Sequence, residues 1–280
     1  MSSKAVAINP PAATISPPPP PRRRVSLKPK PSPLLRSVSC SSSSSSSVSP
    51  GPLRGSEDGS PPGLPEYKPG LLDLVFLASF RSKMVKEVGW DSEKPGYDGL
   101  IEVANRLMLI GKTNGETKEA AVRILRSLFP PLLLDLYKML ISPLANGKVS
   151  AIMVARVTAL TCQWLMGTCK VNSVELPDGT SCETGVFVER CKYLEESKCV
   201  GICVNTCKLP TQSFFMDHMG VPLLMEPNFS DYSCQFKFGI HPPPPEDDAT
   251  LKEPCLEICP IASRRQQVQQ HTNSMKCPKA

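Results

Sequence analysis

The sequence predicts an α+β, predominantly helical protein, with an N-terminal helical half packed on a Cys-rich half that carries a small antiparallel sheet. Three observations predict it. Residues 57–161 contain no cysteine and place apolar residues at helical spacing, whereas residues 162–277 hold eleven of the twelve cysteines. VNSVEL (171–176) and SCETGVFV (181–188) read as the two strands of a hairpin, with Asp178-Gly179 in its turn. The 280 residues leave room for one good-sized domain behind a non-globular leader.

That leader is residues 1–56, which contain eight Lys or Arg and no acid; the first carboxylate is Glu57. PPPPP (17–21) and a serine run (41–47) leave little to build a core. Arg- and Ser-rich, acid-free composition is that of a disordered transit peptide, and serine with proline points to the plastid. A secretory signal would need an apolar stretch of roughly 7–15 residues after the basic ones, and none follows. EDGSPPGLPEYKPG (57–70) reads as a linker, and 71–277 as a single domain, divided into a helical half (71–161) and a Cys-rich half (162–277). Without the leader the charge changes sign: 32 − 8 leaves 24 Lys/Arg against 26 Asp/Glu, a net of −2. The basic balance of the whole chain is therefore no argument for a nucleic-acid partner.

Within the domain, LLDLVFLASF (71–80) opens a helix too short to span a bilayer, which takes roughly 20 apolar residues. DGLIEVANRLMLIG (98–111) aligns Leu100, Ile101, Ala104, Leu107 and Met108 before a glycine stop. NGETKEAAVRILRSLF (114–129) does the same with Ala121, Ile124, Leu125 and Leu128, and Pro130-Pro131 break it before PPLLLDLYKMLI (130–141). VSAIMVARVTALTCQWLMG (149–167) is apolar around its circumference and reads as a central buried helix. ERCKYLEESKCVGICVNTCK (189–208) reads as helix, TQSFFMDHM (211–219) as a short helix ended by Gly220, and VPLLME and SCQFKFG as extended pieces. HPPPP (241–245) links stiffly to CLEIC (255–259).

Cys199, Cys203 and Cys207 stand four apart. On a straight helix they share a face, but about 12 Å of rise separates the first from the last, too far for three thiolates to meet one small centre. A bend or stop at Gly201 or at Leu209-Pro210 would be needed. Cys255 and Cys259 repeat the interval. A reducing stroma argues against structural disulfides, and spacing alone leaves iron, zinc and merely buried or redox thiols open. His218 beside Asp217 is a candidate ligand or base; a 2-His-1-carboxylate iron site would need two of His218, His241 and His271, and His271 lies in a polar tail. GxGxxG, a full GxxxxGK[ST] phosphate loop, GxSxG and HExxH are all absent, which argues against the usual nucleotide, serine-hydrolase and zinc-protease chemistries.

The run KCVGICVNTCKLPTQSFFMDHMGVPLLMEPNFSDYSCQFKFG (198–239), with WLMGTCKVNSVELPDG (164–179) and PCLEICP (254–260), resembles the plant and algal β-carotene isomerase family of strigolactone biosynthesis. The resemblance implies a chloroplast protein, in the stroma or at a membrane surface, associated with iron as a mononuclear ion or an iron–sulfur cluster. It implies interconversion of all-trans-β-carotene and its 9-cis isomer, upstream of a carotenoid cleavage dioxygenase. Cys199, Cys203, Cys207, Cys255 and Cys259 are then the expected ligands, with Cys234 in reserve. Phe214, Phe215, Met216, Met219, Leu223, Leu224 and Met225 are the expected lining of an apolar substrate slot. An apolar substrate also implies peripheral contact with plastid membranes, with the LLDLVFLASF helix a candidate entrance. The alternative is a non-catalytic plastid iron–sulfur or zinc protein that carries metal or docks to a partner; a stromal thiol switch is a third reading.

Overall fold

Helix α1 (Leu71–Val88) begins where the Gly70 N–H donates to the Asp73 carboxylate at 2.7 Å, and ends at Gly89, whose positive φ of 72° turns the chain back. The return loop is pinned by Arg81, which donates to the Asp91 carboxylate at 2.9 Å and to the carbonyls of Ser92 and Lys94 at 2.6 and 2.8 Å. The computed structural model describes residues 40–42, 69–111, 113–256 and 259, all within the unit Val38–Ala280. Nearly all of the expected leader and linker, and His271, lie outside the described residues.

Helix α2 (Gly96–Ile110) buries Leu100, Val103, Ala104, Leu107 and Met108, the face its periodicity predicts. Helix α3 (Asn114–Arg126) is capped by Thr113, whose hydroxyl accepts from the Glu116 N–H at 3.1 Å, and buries Ala120, Ala121 and Ile124. Pro130-Pro131 end that run, and α4 (Leu133–Leu140) follows with no fully buried residue. After a 3-10 turn (Leu144–Gly147) come α5 (Lys148–Thr161) and the single turn α6 (Gln163–Met166).

The expected central helix is split and half-exposed. Helix α5 buries Ala151, Val154, Ala155 and Ala159 against the sheet, but Met153, Val157 and Leu160 face outward. An apolar circumference is necessary for full burial but not sufficient, because one layer of sheet covers only one side of a helix.

The sheet is antiparallel throughout. Strands β2 (Cys169–Glu175) and β3 (Thr180–Val188) form the hairpin, turned at Gly179 with the Asp178 carboxylate accepting from the Thr180 N–H and hydroxyl at 3.0 and 2.6 Å. Strand β5 (Cys234–Phe238) pairs with the second half of β3, and β4 (Leu223–Pro227) pairs with β5. A three-residue strand, β1 (Cys40–Ser42), runs beside the start of β3 and falls inside the segment read as leader. Cys182 of β3 is disulfide-bonded, a departure from the expectation of no structural disulfide.

Gly185 sits at the middle of this sheet for a steric reason. The side chains of Asn172 on β2 and Gln235 on β5 exchange amide hydrogen bonds of 2.8 and 3.0 Å across β3. A Cβ on Gly185 would lie 2.2 Å from Asn172 Oδ1 and 2.5 Å from Val174 Cγ2. Gly185→Ala is therefore expected to destabilise the protein by about 1–3 kcal/mol, measured as a lower urea midpoint at unchanged slope.

Candidate active-site cleft

Helix α7 (Lys192–Ser197) ends at Lys198, which takes a left-handed conformation (φ 51°), and Cys199 is extended (φ −142°). The chain then stays helical from Val200 to Met219: α8 (Val200–Ile202), a π turn (Cys203–Lys208), α9 (Leu209–Ser213) and a second π turn (Phe214–Met219), closed by Gly220 at φ 69°. The expected interruption thus comes at Lys198–Cys199, before Gly201, and the run passes through Pro210 without stopping. The wider π turn just before Pro210 relaxes the tight i→i−4 ladder, to which proline, lacking an N–H, cannot contribute a donor. Cys199 is consequently off the helix that carries Cys203 and Cys207.

Cys203 and Cys207 instead join thiols from other elements. Burial, followed by the proximity of Cys207, Cys191 and Cys234, pushes the Cys203 thiol well above its ordinary range. Burial, Cys191 and Cys207 do the same to Cys234, against a smaller opposing pull from Lys208. Cys207 is pushed up to about 12 by burial, then by Cys191 and Cys162, although it bonds to the Thr211 hydroxyl. Cys191 is raised by burial despite N–H donation from Leu194 and Tyr193. None of the four is in a disulfide. They form a protonated, largely buried thiol cluster, the opposite of the electropositive, part-exposed setting of a reactive thiolate.

Among the described residues, no three of His, Cys, Asp and Glu converge so as to hold a metal ion. Thiolate ligands must also lose their protons, which burial opposes here. In this arrangement the residues present do not fit the implied iron centre. Cys255 and Cys259 lie beyond the short helix α10 (Ala249–Lys252), and no three of the five expected ligands are brought together.

Beside Cys207 is a small apolar cleft with a cavity volume of about 40 Å³. Its walls come from the helical half: Phe80 and Met84 of α1, Leu107 of α2, Ala121, Ile124 and Leu125 of α3, joined by Leu165 of α6. Its polar lining is Tyr193, Thr206, Cys207 and Thr211. The Thr206 hydroxyl donates to the Ile202 carbonyl at 2.8 Å, so the Tyr193 hydroxyl, 2.8 Å away, donates to Thr206. Burial raises the Tyr193 phenol far above its usual range. These hydroxyls satisfy one another, and the wall carries no charge. The cleft suits an apolar group, with a thiol beside it.

None of the seven expected lining residues faces this cleft. Phe214 stacks on Phe129 with centroids 5.5 Å apart and meets Phe215 edge-on at 5.3 Å, while Phe215 meets Phe238 at 5.2 Å. Met219, Leu223 and Met225 are buried in the core, and Met216 and Leu224 are partly exposed. Phe214, Phe215, Met216 and Met219 belong to the second π turn, and Leu223, Leu224 and Met225 to β4. His218 lies beside Phe214, away from the cleft, and its pKa is lowered by burial and then by Arg126. Sequence reasoning missed Cys191 and the whole wall from α1 to α3.

Comparison with known proteins gives the same part of the chain a family. The family described as "Beta-carotene isomerase D27-like, C-terminal" matches residues 164–247, which include Leu165, Tyr193, Thr206, Cys207 and Thr211 of the cleft. An Arabidopsis thaliana protein named "Beta-carotene isomerase D27, chloroplastic" is 37% identical over 171 residues, 60% of this chain and 62% of that protein. A Medicago truncatula protein of the same name is 32% identical over 196 residues, 69% of this chain and 75% of that protein. The match thus spans somewhat under two thirds of the Arabidopsis relative and three quarters of the Medicago one. No solved structure matches the chain. With that identity across three quarters of the Medicago relative, the chain belongs to the D27-like β-carotene isomerase family.

Proposed function

We propose that this chain is a plastid isomerase that interconverts all-trans-β-carotene and its 9-cis isomer. The observation that carries the reading is the uncharged apolar cleft whose polar end, Tyr193, Thr206 and Cys207, falls in the matched part of the chain. Both relatives are named β-carotene isomerases and chloroplastic, and the acid-free leader supports import into the same compartment.

A carotene offers no hydrogen-bonding handle, so binding rests on shape and on apolar area removed from water. The cleft takes a segment of the polyene, and the rest extends through its mouth. Leu72, Phe76, Phe80 and Met84 stand at four-residue intervals along α1, hence on one face. The latter two line the cleft while Leu72 and Phe76 are exposed, so the stripe runs from the surface inward. Peripheral contact with a plastid membrane would present the substrate to that stripe.

Rotation about a conjugated double bond requires its order to fall. Among the side chains lining the cleft, Cys207 carries the one sulfur able to bond to carbon. Addition of its S–H across one double bond forms a C–S and a C–H bond and leaves a single bond free to turn. Elimination returns the hydrogen to sulfur and restores the double bond, with no net electron change. A thiol kept protonated by burial carries the hydrogen that this step needs.

The test is purified protein with all-trans-β-carotene in detergent, isomers separated by chromatography. Approach to one isomer ratio from both the all-trans and the 9-cis side is expected; an unchanged ratio from either side would overturn the reading and favour a non-catalytic binding protein. Cys207→Ser is expected to bind carotene but to lose isomerisation at least 100-fold, about 2.7 kcal/mol of barrier. Wild-type rates in that variant would remove sulfur from the chemical step.

A further inference from the structure

We propose that Cys40 and Cys182 are joined by a disulfide that holds a strand of the acid-free leader on the edge of the sheet. Strand β2 pairs with β3 over residues 181–188. The opposite edge of β3 is shared, residues 185–188 pairing with β5 and residues 180–182 with β1. In that register Cys40 stands directly opposite Cys182, Ser41 opposite Ser181 and Ser42 opposite Thr180. Directly opposed residues of an antiparallel pair have Cα atoms about 4.5 or 5.5 Å apart, inside the roughly 4.4–6.8 Å that a disulfide spans.

Elimination points to the same partner. Cys182 is buried and disulfide-bonded, and no other cysteine from Cys162 to Cys259 is in a disulfide. The sequence holds two more, Cys40 and Cys277, and Cys40 is the one that the sheet register sets against Cys182. Local preference does not account for β1. Cys40 opens into a serine run (41–47) with none of the β-branched or aromatic residues that favour strands. Three residues also make few ladder bonds, so the strand depends on an anchor beyond its own pairing. A covalent bond at its first residue supplies that anchor.

Closing the bond takes one hydrogen from each thiol and passes two electrons to an oxidant, here the disulfide of a thioredoxin-class protein, which departs as the dithiol. The reverse exchange reopens it, so the staple is reversible in a compartment that keeps thiols reduced. With the bond closed, a cut in the chain between Cys40 and α1 leaves the front segment attached until a dithiol releases it. With the bond open, residues 180–182 of β3 present a row of unpaired N–H and C=O groups, an edge available to another extended chain. The pairing concerns the leader and the sheet alone and does not rest on the proposed isomerase reading.

The test is peptide mapping of the full chain, oxidised with glutathione disulfide, unfolded in N-ethylmaleimide and digested with trypsin without reductant. Trypsin leaves Cys40 in peptide 37–54, Cys182 in 171–190 and Cys277 in 277–279, each without a second cysteine. Peptide 37–54 joined to 171–190, at the summed mass less two hydrogens and separating on reduction, is expected. In Cys40→Ser, peptide 171–190 should carry the maleimide instead, and residues 180–182 should lose amide-exchange protection. Cys277→Ser should keep both the link and the protection. A link from 171–190 to 277–279 or to a second copy of itself, or an alkylated Cys182 in the oxidised wild type, would overturn the pairing. A wild-type link with unchanged protection in Cys40→Ser would overturn its role in holding the strand.

Discussion

Asp248→Ala should cost about 3–5 kcal/mol, the range for leaving one member of a buried ion pair without its partner. Lys208 is the largest of the fully buried side chains, at 1% exposure, and it sits in the π turn directly after Cys207. Its ammonium donates to both Asp248 oxygens at 2.6 Å and to the Thr250 hydroxyl at 2.7 Å, so all three N–H groups are used. Asp248 in turn caps α10, accepting from the Thr250 N–H at 3.0 Å. Truncating it strands a cation in the core and frees the segment that leads to Cys255 and Cys259. A paired replacement, Lys208→Met with Asp248→Leu, should recover most of the loss, because it removes the charge along with its partner.

The same pair sets an acid limit. Burial alone would raise the Asp248 pKa, but the Lys208 bond and charge, with the Thr250 donors, outweigh it and leave the folded value below the ordinary 3.8. A depressed carboxyl contributes stability that is fully present above the unfolded value and is lost as pH falls through the folded one. Urea unfolding should therefore show the wild-type advantage over Asp248→Ala constant near neutrality and shrinking below about pH 4. A gap that persists in stronger acid would mean that the carboxylate is not what holds Lys208.

The sequence made legible what is local. Asp178-Gly179 determines its hairpin by turn chemistry, and α2 and α3 bury the faces that their periodicity marks. The left-handed break at Lys198 has no such mark, since neither glycine nor asparagine stands there. Nor do the π turns, CVNTCK and FFMDHM, which contain neither glycine nor proline. The thiol cluster was illegible for a different reason. Cys234 pairs with Val188 in the register of β3 and β5, and the Cys191 N–H donates to the Tyr232 carbonyl at 2.7 Å, so these two cysteines approach through sheet pairing and not through sequence spacing. Even intervals of four drew attention to Cys199, Cys203 and Cys207, whereas tertiary contacts select Cys191, Cys203, Cys207 and Cys234.

The cleft was hidden by the same logic, one level up. Each lining residue from Phe80 to Leu125 reads as ordinary core in its own helix, and only the packing of α1, α2 and α3 against the run from Val200 leaves a gap between them. The cysteine-free half therefore supplies the shape and the Cys-rich half the polar end. The family match covers the second of these over residues 164–247, a span that also holds Phe214 and its neighbours, which do not line the cleft.

Leu125→Trp should separate binding from folding more cleanly than any cysteine variant. Leu125 lines the cleft from α3 and is only partly buried, so a larger ring can be seated there without displacing the fully buried Ile124. Overpacking at such a site typically costs about 1–3 kcal/mol of stability, and no cysteine is replaced. The indole would occupy the space meant for the polyene. Isomerisation of β-carotene in detergent is expected to fall roughly 100-fold in kcat/KM, about 2.7 kcal/mol, through the binding step. Leu125→Ala, which widens the same gap, should lose far less. If Leu125→Trp turns over at the wild-type rate while remaining folded, the polyene binds elsewhere, and Cys207 loses its claim to the chemical step along with the cleft.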